Sequence, residues 1–285
     1  MTISSGAWRL AIALLAVVVV AAIAARLVLP QVVRMLGVHP AYEGPRYQLP
    51  GKSALIVTTS HDRLDRSGAP TGVFGSEMTA PYYAFTSGGM TVDIASIKGG
   101  KVPIDPLSFS WLIEAPSDKR FESDAVLMKK AEASLRVADV DFTKYDIIFL
   151  AGGWGAAYDL GVSPELGAQV TKAWAAGRIV GGVCHGPLGL LLAKDEHGAP
   201  LVRGRRLTAV TDKQVRELGI TETPQHPERE LRAAGAVYES ASAFRDFFAD
   251  HVVVEGRLIT GQNQNAGTEV AQEMMRAAGG ARMSE

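Results

Sequence analysis

Arg178-Ile179-Val180-Gly181-Gly182-Val183-Cys184-His185-Gly186-Pro187 is the stretch that decides how this chain folds and what chemistry it can carry. Residues 178–183 are apolar and β-rich enough for a buried strand, and residues 186–193 read as a helix. Between them, Gly182-Val183-Cys184-His185-Gly186 has the form small-x-nucleophile-x-small. This is a nucleophile elbow with sulfur in place of the serine hydroxyl. The turn is so sharp that its neighbours two residues away must be glycine or similarly small. A thiol at the N-terminus of the following helix is predicted to have a lowered pKa, because oriented amides favour the thiolate. Cys184 is the only cysteine, so the fold stands on its core without an internal disulfide. A lone cysteine is commonly inert packing. The paired glycines and the adjacent His185 shift the reading to a reactive thiol. His185 could cap or pack; beside a thiol it is better read as the acid and base that ion-pairs with the thiolate.

Outward from the elbow, short apolar runs alternate with helical stretches. Strands are predicted at 53–59, 91–96, 145–150, 206–211, 252–254 and 257–260, the last two joined by a turn at Glu255-Gly256. Helices are predicted at 77–86 (Ser76 as N-cap, Gly88-Gly89 as stop), 123–137, 164–176, 228–234 and 268–278. This alternation means βα units and a mostly parallel sheet sandwiched by helices. In such sheets the site lies at the carboxyl ends of the strands, where the unusual residues of this chain fall. Gly152-Gly153 follow the strand 145–150, so their N–H groups either face a developing oxyanion or make a plain turn. Glu77 opens the helix after the first strand, where a glutamate is commonly a dipole partner only. Asp212 follows the strand 206–211 and either caps a helix or orients His185, with Glu217 as competitor.

The chain has 285 residues, 47% hydrophobic and 21% charged, with a formal net charge of −1. These values fit a packed domain and exclude a disordered one. The lack of a Lys/Arg block argues against a nucleic-acid partner. Residues 10–29 form an apolar run flanked by Arg9 and containing Arg26 near its end. About 20 such residues span a bilayer if Arg26 snorkels. Pro30 is expected to end this helix. A cleaved signal peptide with Ala22-Ile23-Ala24 at its cleavage site is the alternative. The predicted organisation is a tail (1–9), a transmembrane anchor (10–29), a linker (30–52), a catalytic domain (53–280) and a tail (281–285). Charge counting across the anchor gives a slight bias toward a cytoplasmic domain in a single-pass membrane protein.

Four blocks then match a known family. They are Gly75-Ser76-Glu77 with Ala80-Pro81-Tyr82-Tyr83; Ala95-Ser96-Ile97-Lys98-Gly99-Gly100 with Pro103-Ile104-Asp105-Pro106; Ala151-Gly152-Gly153 with Tyr158-Asp159-Leu160; and Val183-Cys184-His185-Gly186-Pro187. Residues 254–263 add a similar tail. The chain resembles the ThiJ/PfpI superfamily, with its flavodoxin-like, class I glutamine amidotransferase-like fold, and within it the chaperone-type glyoxalase III branch. The resemblance implies that Cys184 is the nucleophile, that His185 is its histidine, and that Glu77 bonds the sulfur and shuttles protons. It also implies that Asp212 falls where the branch often has a third triad acid. Two departures stand out: Trp154 replaces the usual histidine after the paired glycines, altering the pocket wall, and residues 221–230 (TETPQHPERE) replace an apolar run.

The function expected is a glutathione-independent glyoxalase that turns methylglyoxal into lactate with no metal or organic cofactor. Alternatives are a thiol amidase or peptidase, and a non-enzymatic holdase or redox sensor. The partners expected are a small 2-oxoaldehyde and a membrane, with a homodimer left open.

Overall fold

A computed structural model describes residues 5–283; residues 1–4 and 284–285, within the two expected tails, lie outside that range. In chain order the first half comprises α1 (Ser5–Met35), β1 (Tyr47–Gln48), β2 (Ser53–Thr58), α2 (Gly75–Ser87), β3 (Thr91–Ser96), α3 (Pro116–Phe121), α4 (Ala125–Glu132), β4 (Leu135–Arg136) and β5 (Ile147–Leu150). The second half comprises α5 (Ala156–Asp159), α6 (Pro164–Ala175), β6 (Ile179–Val183), β7 (Arg206–Leu207), α7 (Asp212–Glu217), α8 (Pro227–Ala233), β8 (Val237–Tyr238), β9 (Val252–Glu255), β10 (Leu258–Gly261), α9 (Gly267–Ala277) and β11 (Ala281–Arg282).

The expected α/β architecture is the one adopted. Seven strands form one sheet in the order β4-β3-β2-β5-β6-β10-β9, parallel throughout except for β9. Its strands read as unbroken apolar runs because both faces are covered. In β2, Ala54 and Ile56 join a cluster with Tyr82, Phe85 and Met274 of α2 and α9. Leu55 and Val57 join the opposite cluster with Val170 and Trp174 of α6. From β2 the chain crosses to β3 on one side, while β5 leads to β6 on the other. The crevice at such a reversal, at the carboxyl ends of the strands, is where doubly wound sheets place their sites.

Local chemistry moved several boundaries. α1 runs through Pro30 to Met35, past the expected end at residue 29. A mid-helix proline removes one ladder bond, and here the true stop is Gly37 at φ +111. The Gly37 N–H reaches the Arg34 carbonyl and the Val38 N–H reaches that of Val33, the paired bonds of a Schellman motif. Ser76 lies inside α2, whose N-cap is Phe74, so the capping role expected of it is not filled. The predicted helix 123–137 shortens to α4, capped by the Asp124 carboxylate, and its end becomes the edge strand β4. The run 206–211 supplies only two strand residues, which pair with β8 outside the main sheet. The hairpin turn is Gly256-Arg257, one residue later than expected, with Gly256 at φ +61. Ala281 and Arg282 pair with Gln48 and Tyr47, so part of the expected tail closes back on the expected linker.

Candidate active site

The elbow forms where β6 ends. Cys184 has φ +59, a left-handed conformation that residues with a Cβ seldom adopt. Its flanking glycines are a steric requirement: a Cβ at Gly182 or at Gly186 would run into the Leu150 backbone of the neighbouring strand. The segment beyond the elbow differs from expectation. Residues 186–190 make a short 3-10 turn instead of an α-helix, so little helix dipole reaches the sulfur.

Cys184, Glu77 and His185 converge and are all buried, at 6%, 1% and 3% exposure. Sγ lies 3.4 Å from His185 Nδ1. The Glu77 carboxyl faces the sulfur from the other side, and the Gly153 and His185 N–H groups lie near it. Gly152 must be glycine, since a Cβ there would stand 2.6 Å from both Glu77 Oε2 and the His185 nitrogen. Gly153, at φ +87, leaves room for the Phe74 amide at the start of α2. The paired glycines therefore do more than turn the chain: they admit the carboxyl to the elbow. Their N–H groups draw the Glu77 pKa down, yet Oε2 itself closes no hydrogen bond among the described residues.

Burial decides the protonation states. It pushes Glu77 up to about 8, outweighing the pull of Cys184, Gly152 and Gly153; Asp118 adds to the upward push. Asp118, itself buried and bonded by the Thr79 hydroxyl at 2.6 Å, is raised to about 7. The Cys184 thiol is pushed well up, by burial first and then by the neighbouring carboxyl. His185 is pushed down to about 3 by burial, with His226 contributing. At neutral pH the centre is thus a neutral, proton-rich network. This corrects two expectations: the thiol pKa is raised, not lowered, and His185 is too weak a base to form an imidazolium–thiolate pair.

Asp212 does not reach His185. It begins α7, where its carboxylate lies 3.4 Å from His226 Nδ1 and 3.3 Å from Arg229. Glu217 accepts the Asp246 N–H at 2.7 Å and faces Lys213. Neither acid completes a triad, and His185 Nε2 has no hydrogen-bond partner among the described residues. Trp154 is half-buried and donates Nε1–H to the Glu222 carbonyl at 3.2 Å; Tyr158 donates its hydroxyl to the same oxygen at 2.8 Å. The polar segment 221–230 is thereby tied over this side of the site. His226, within that segment, went unnoticed in sequence, although the prolines on either side (Pro224, Pro227) mark a held position. Asp118 carried no sequence signal at all. Among the described residues no group of three or more His, Cys, Asp or Glu is set to hold a metal ion. Two clefts, of about 620 and 540 Å³, are lined by other residues than the three at the elbow.

Comparison with known proteins agrees with this architecture. The chain is similar to a probable glutathione-independent glyoxalase of Saccharomyces cerevisiae, 28% identical over 234 residues, covering 76% of this chain and 93% of that protein. It is similar to glyoxalase 3 of Candida albicans, 27% identical, with 79% of this chain and 98% of that one covered. Among solved structures, the Rapid Encystment Protein of Francisella tularensis superposes with a TM-score of 0.74 at 32% identity, covering 80% of this chain and 99% of that one. Glyoxalase III of Candida albicans superposes with a TM-score of 0.72 at 26% identity, covering 79% and 97%. The sequence pattern of the DJ-1/PfpI family matches residues 69–277, and the chain belongs to that family.

Proposed function

We propose that this chain is a glutathione-independent glyoxalase, which converts a 2-oxoaldehyde such as methylglyoxal to the 2-hydroxy acid. The observation that carries the reading is the convergence of three buried side chains, Cys184, His185 and Glu77, with Sγ 3.4 Å from His185 Nδ1 and the Glu77 carboxyl, raised to about 8, facing the sulfur. A group that gains and loses a proton near neutrality suits a proton shuttle. The Cys184 sulfur adds to the aldehyde carbon and the thiol proton passes to the aldehyde oxygen, giving a hemithioacetal. Glu77 as carboxylate removes the proton from that carbon and returns it to the adjacent one, while the hydroxyl proton of the hemithioacetal passes to the former ketone oxygen. The aldehyde carbon is thereby oxidised to a thioester while the neighbouring ketone is reduced to an alcohol. Water cleaves the thioester, releasing lactate and restoring the thiol. His185, held neutral, orients the thiol through Nδ1. The Gly153 and His185 N–H groups, near the sulfur, can donate to an oxygen on the carbon attached to it as charge builds there. The names of the relatives fit this reading.

The alternatives lack support of this kind. An amidase would need an acid orienting His185, and Asp212 is engaged with His226 and Arg229. A redox sensor would need an exposed sulfur of low pKa, the opposite of what burial produces. The test is lactate formation from methylglyoxal by the full chain and by its Cys184→Ala form; equal rates would end the proposal.

We further propose that α1 anchors the protein in a membrane. Within residues 8–35 the most apolar 18-residue window has a mean hydropathy of 2.9, and none of it is buried in the fold. A helix that is apolar all round and uncovered by protein needs lipid around it. Retention in the membrane pellet after alkaline carbonate extraction is expected; release into the supernatant would refute the anchor.

A further inference from the structure

The cleft of about 620 Å³ beyond the first turn of α2 is lined by none of Cys184, His185 and Glu77. It is lined by Arg34 at the end of α1, Arg46 ahead of β1 and Arg120 of α3, with Ser76, His39 and Asn265 among its polar groups; no Asp or Glu lines it. None of the three guanidinium groups spends its charge on a carboxylate. Arg34 donates to the Glu114 carbonyl at 3.3 Å. Arg46 donates to the Tyr42 carbonyl at 3.5 Å and sits over that ring. Arg120 stacks on Tyr83 at 3.9 Å. Asp124 feels Arg120, but its carboxylate is taken up by the Tyr83 hydroxyl and the Val126 and Leu127 N–H groups. The nearby acids Glu43, Asp250, Glu269 and Glu273 line a smaller cleft that adjoins it, sharing Pro40, Ala41, Tyr42, Asn265 and Thr268.

A second observation points the same way. Ser76 is 1% exposed, its Oγ has no hydrogen-bond partner among the described residues, and it lines this cleft. A buried hydroxyl without a partner is costly, and it is the donor that a bound oxyanion would accept from. Three like charges around one cavity repel one another unless an anion lies between them. Planar guanidinium forks match phosphate oxygens in pairs. The volume lies in the range of small-ligand sites, about 300–1,000 Å³.

We propose that this cleft is a binding site for a phosphate-bearing anion, with Arg34, Arg46 and Arg120 supplying the charge and Ser76 a buried hydroxyl. Two sources share this chemistry. Arg34 lies in the last turn of the long apolar helix, so the headgroup of an acidic lipid would be at hand if α1 is the anchor proposed above. A soluble phosphate ester would meet the same groups whether or not it is.

The full chain, held in nanodiscs of zwitterionic lipid, would be titrated with inorganic phosphate at constant ionic strength while its unfolding temperature is followed. In parallel it would be held in discs with and without phosphatidylglycerol. A saturable rise with phosphate supports the site with a soluble ester as ligand. A rise with phosphatidylglycerol alone supports it with a headgroup as ligand. In either arm Arg34→Gln/Arg46→Gln should weaken the half-saturating concentration at least tenfold, and Arg120→Gln should do so independently. No rise in either arm, or an equal rise in the substituted proteins, overturns the proposal. Neither readout depends on methylglyoxal turnover, so failure here and failure of the glyoxalase reading are told apart.

Discussion

Replacing Glu77 by glutamine keeps the shape of the side chain and removes its ability to ionise. In the folded chain this carboxyl titrates at about 8 against an ordinary 4.5. Between those values the folded state holds a proton that the unfolded state has released, so folding loses stability as pH rises through the window. The slope for one such group approaches about 1.4 kcal/mol per pH unit. Between pH 5 and pH 8 the wild type should therefore lose on the order of 3–4 kcal/mol that the Glu77→Gln protein keeps. Asp118, raised to about 7, contributes to the slope of both proteins, and its coupling to Glu77 makes a smaller contribution to the difference. Urea unfolding of the two proteins at pH 5, 6, 7 and 8 measures it. Lactate formation by Glu77→Gln should fall by about 10²–10⁴ if the carboxyl moves the proton. Parallel pH dependences of stability would mean that the carboxyl is not held protonated by burial. Unimpaired turnover would mean that another group does the proton transfer.

Cys184→Ala should abolish lactate formation while leaving the chain folded, as judged by circular dichroism, because a buried thiol of this kind packs as a small apolar group. Asp212→Asn should change turnover by no more than about fivefold, since a partly exposed acid paired with Arg229 and His226 is worth about 1 kcal/mol or less; a thousandfold loss would restore it to the catalytic group. Gly152→Ala should lower stability by about 1–3 kcal/mol and suppress turnover together, because the new Cβ meets Glu77 Oε2 and the His185 nitrogen. Trp154→Phe removes one hydrogen bond to the Glu222 carbonyl, worth about 1 kcal/mol; amide exchange of residues 221–226 should speed up, and unchanged exchange would show that the segment is held by other contacts.

The elbow was legible in sequence because five residues carry both its geometry and its chemistry. Gly182 and Gly186 are there since Leu150 leaves no room for a Cβ, and that demand is local. The sheet was legible because strands covered on both faces show no polar alternation. Protonation states were not legible. Whether a thiol beside a histidine is ionised depends on water reaching it, and the covering of Cys184, Glu77 and His185 comes from segments far away in the chain. The helix expected after the elbow failed for a related reason: residues 186–190 are all buried and make the tighter 3-10 turn, which local propensity does not announce. Asp212 looked like a triad acid from its place after an apparent strand. Only the fold shows that its carboxylate turns toward His226.

The segment between α1 and β2 has a bearing on how the enzyme meets its surroundings. Val38 is buried, the His39 N–H bonds Asn265 at 2.9 Å, the Tyr47 N–H bonds Gln272 at 2.8 Å, and β1 pairs with β11. Such stitching mounts the globular part on its stem as a bracket would, with little slack to swing or spin. With α1 anchored as proposed, every copy would present the same flank to the lipid and the same doorway to passing molecules.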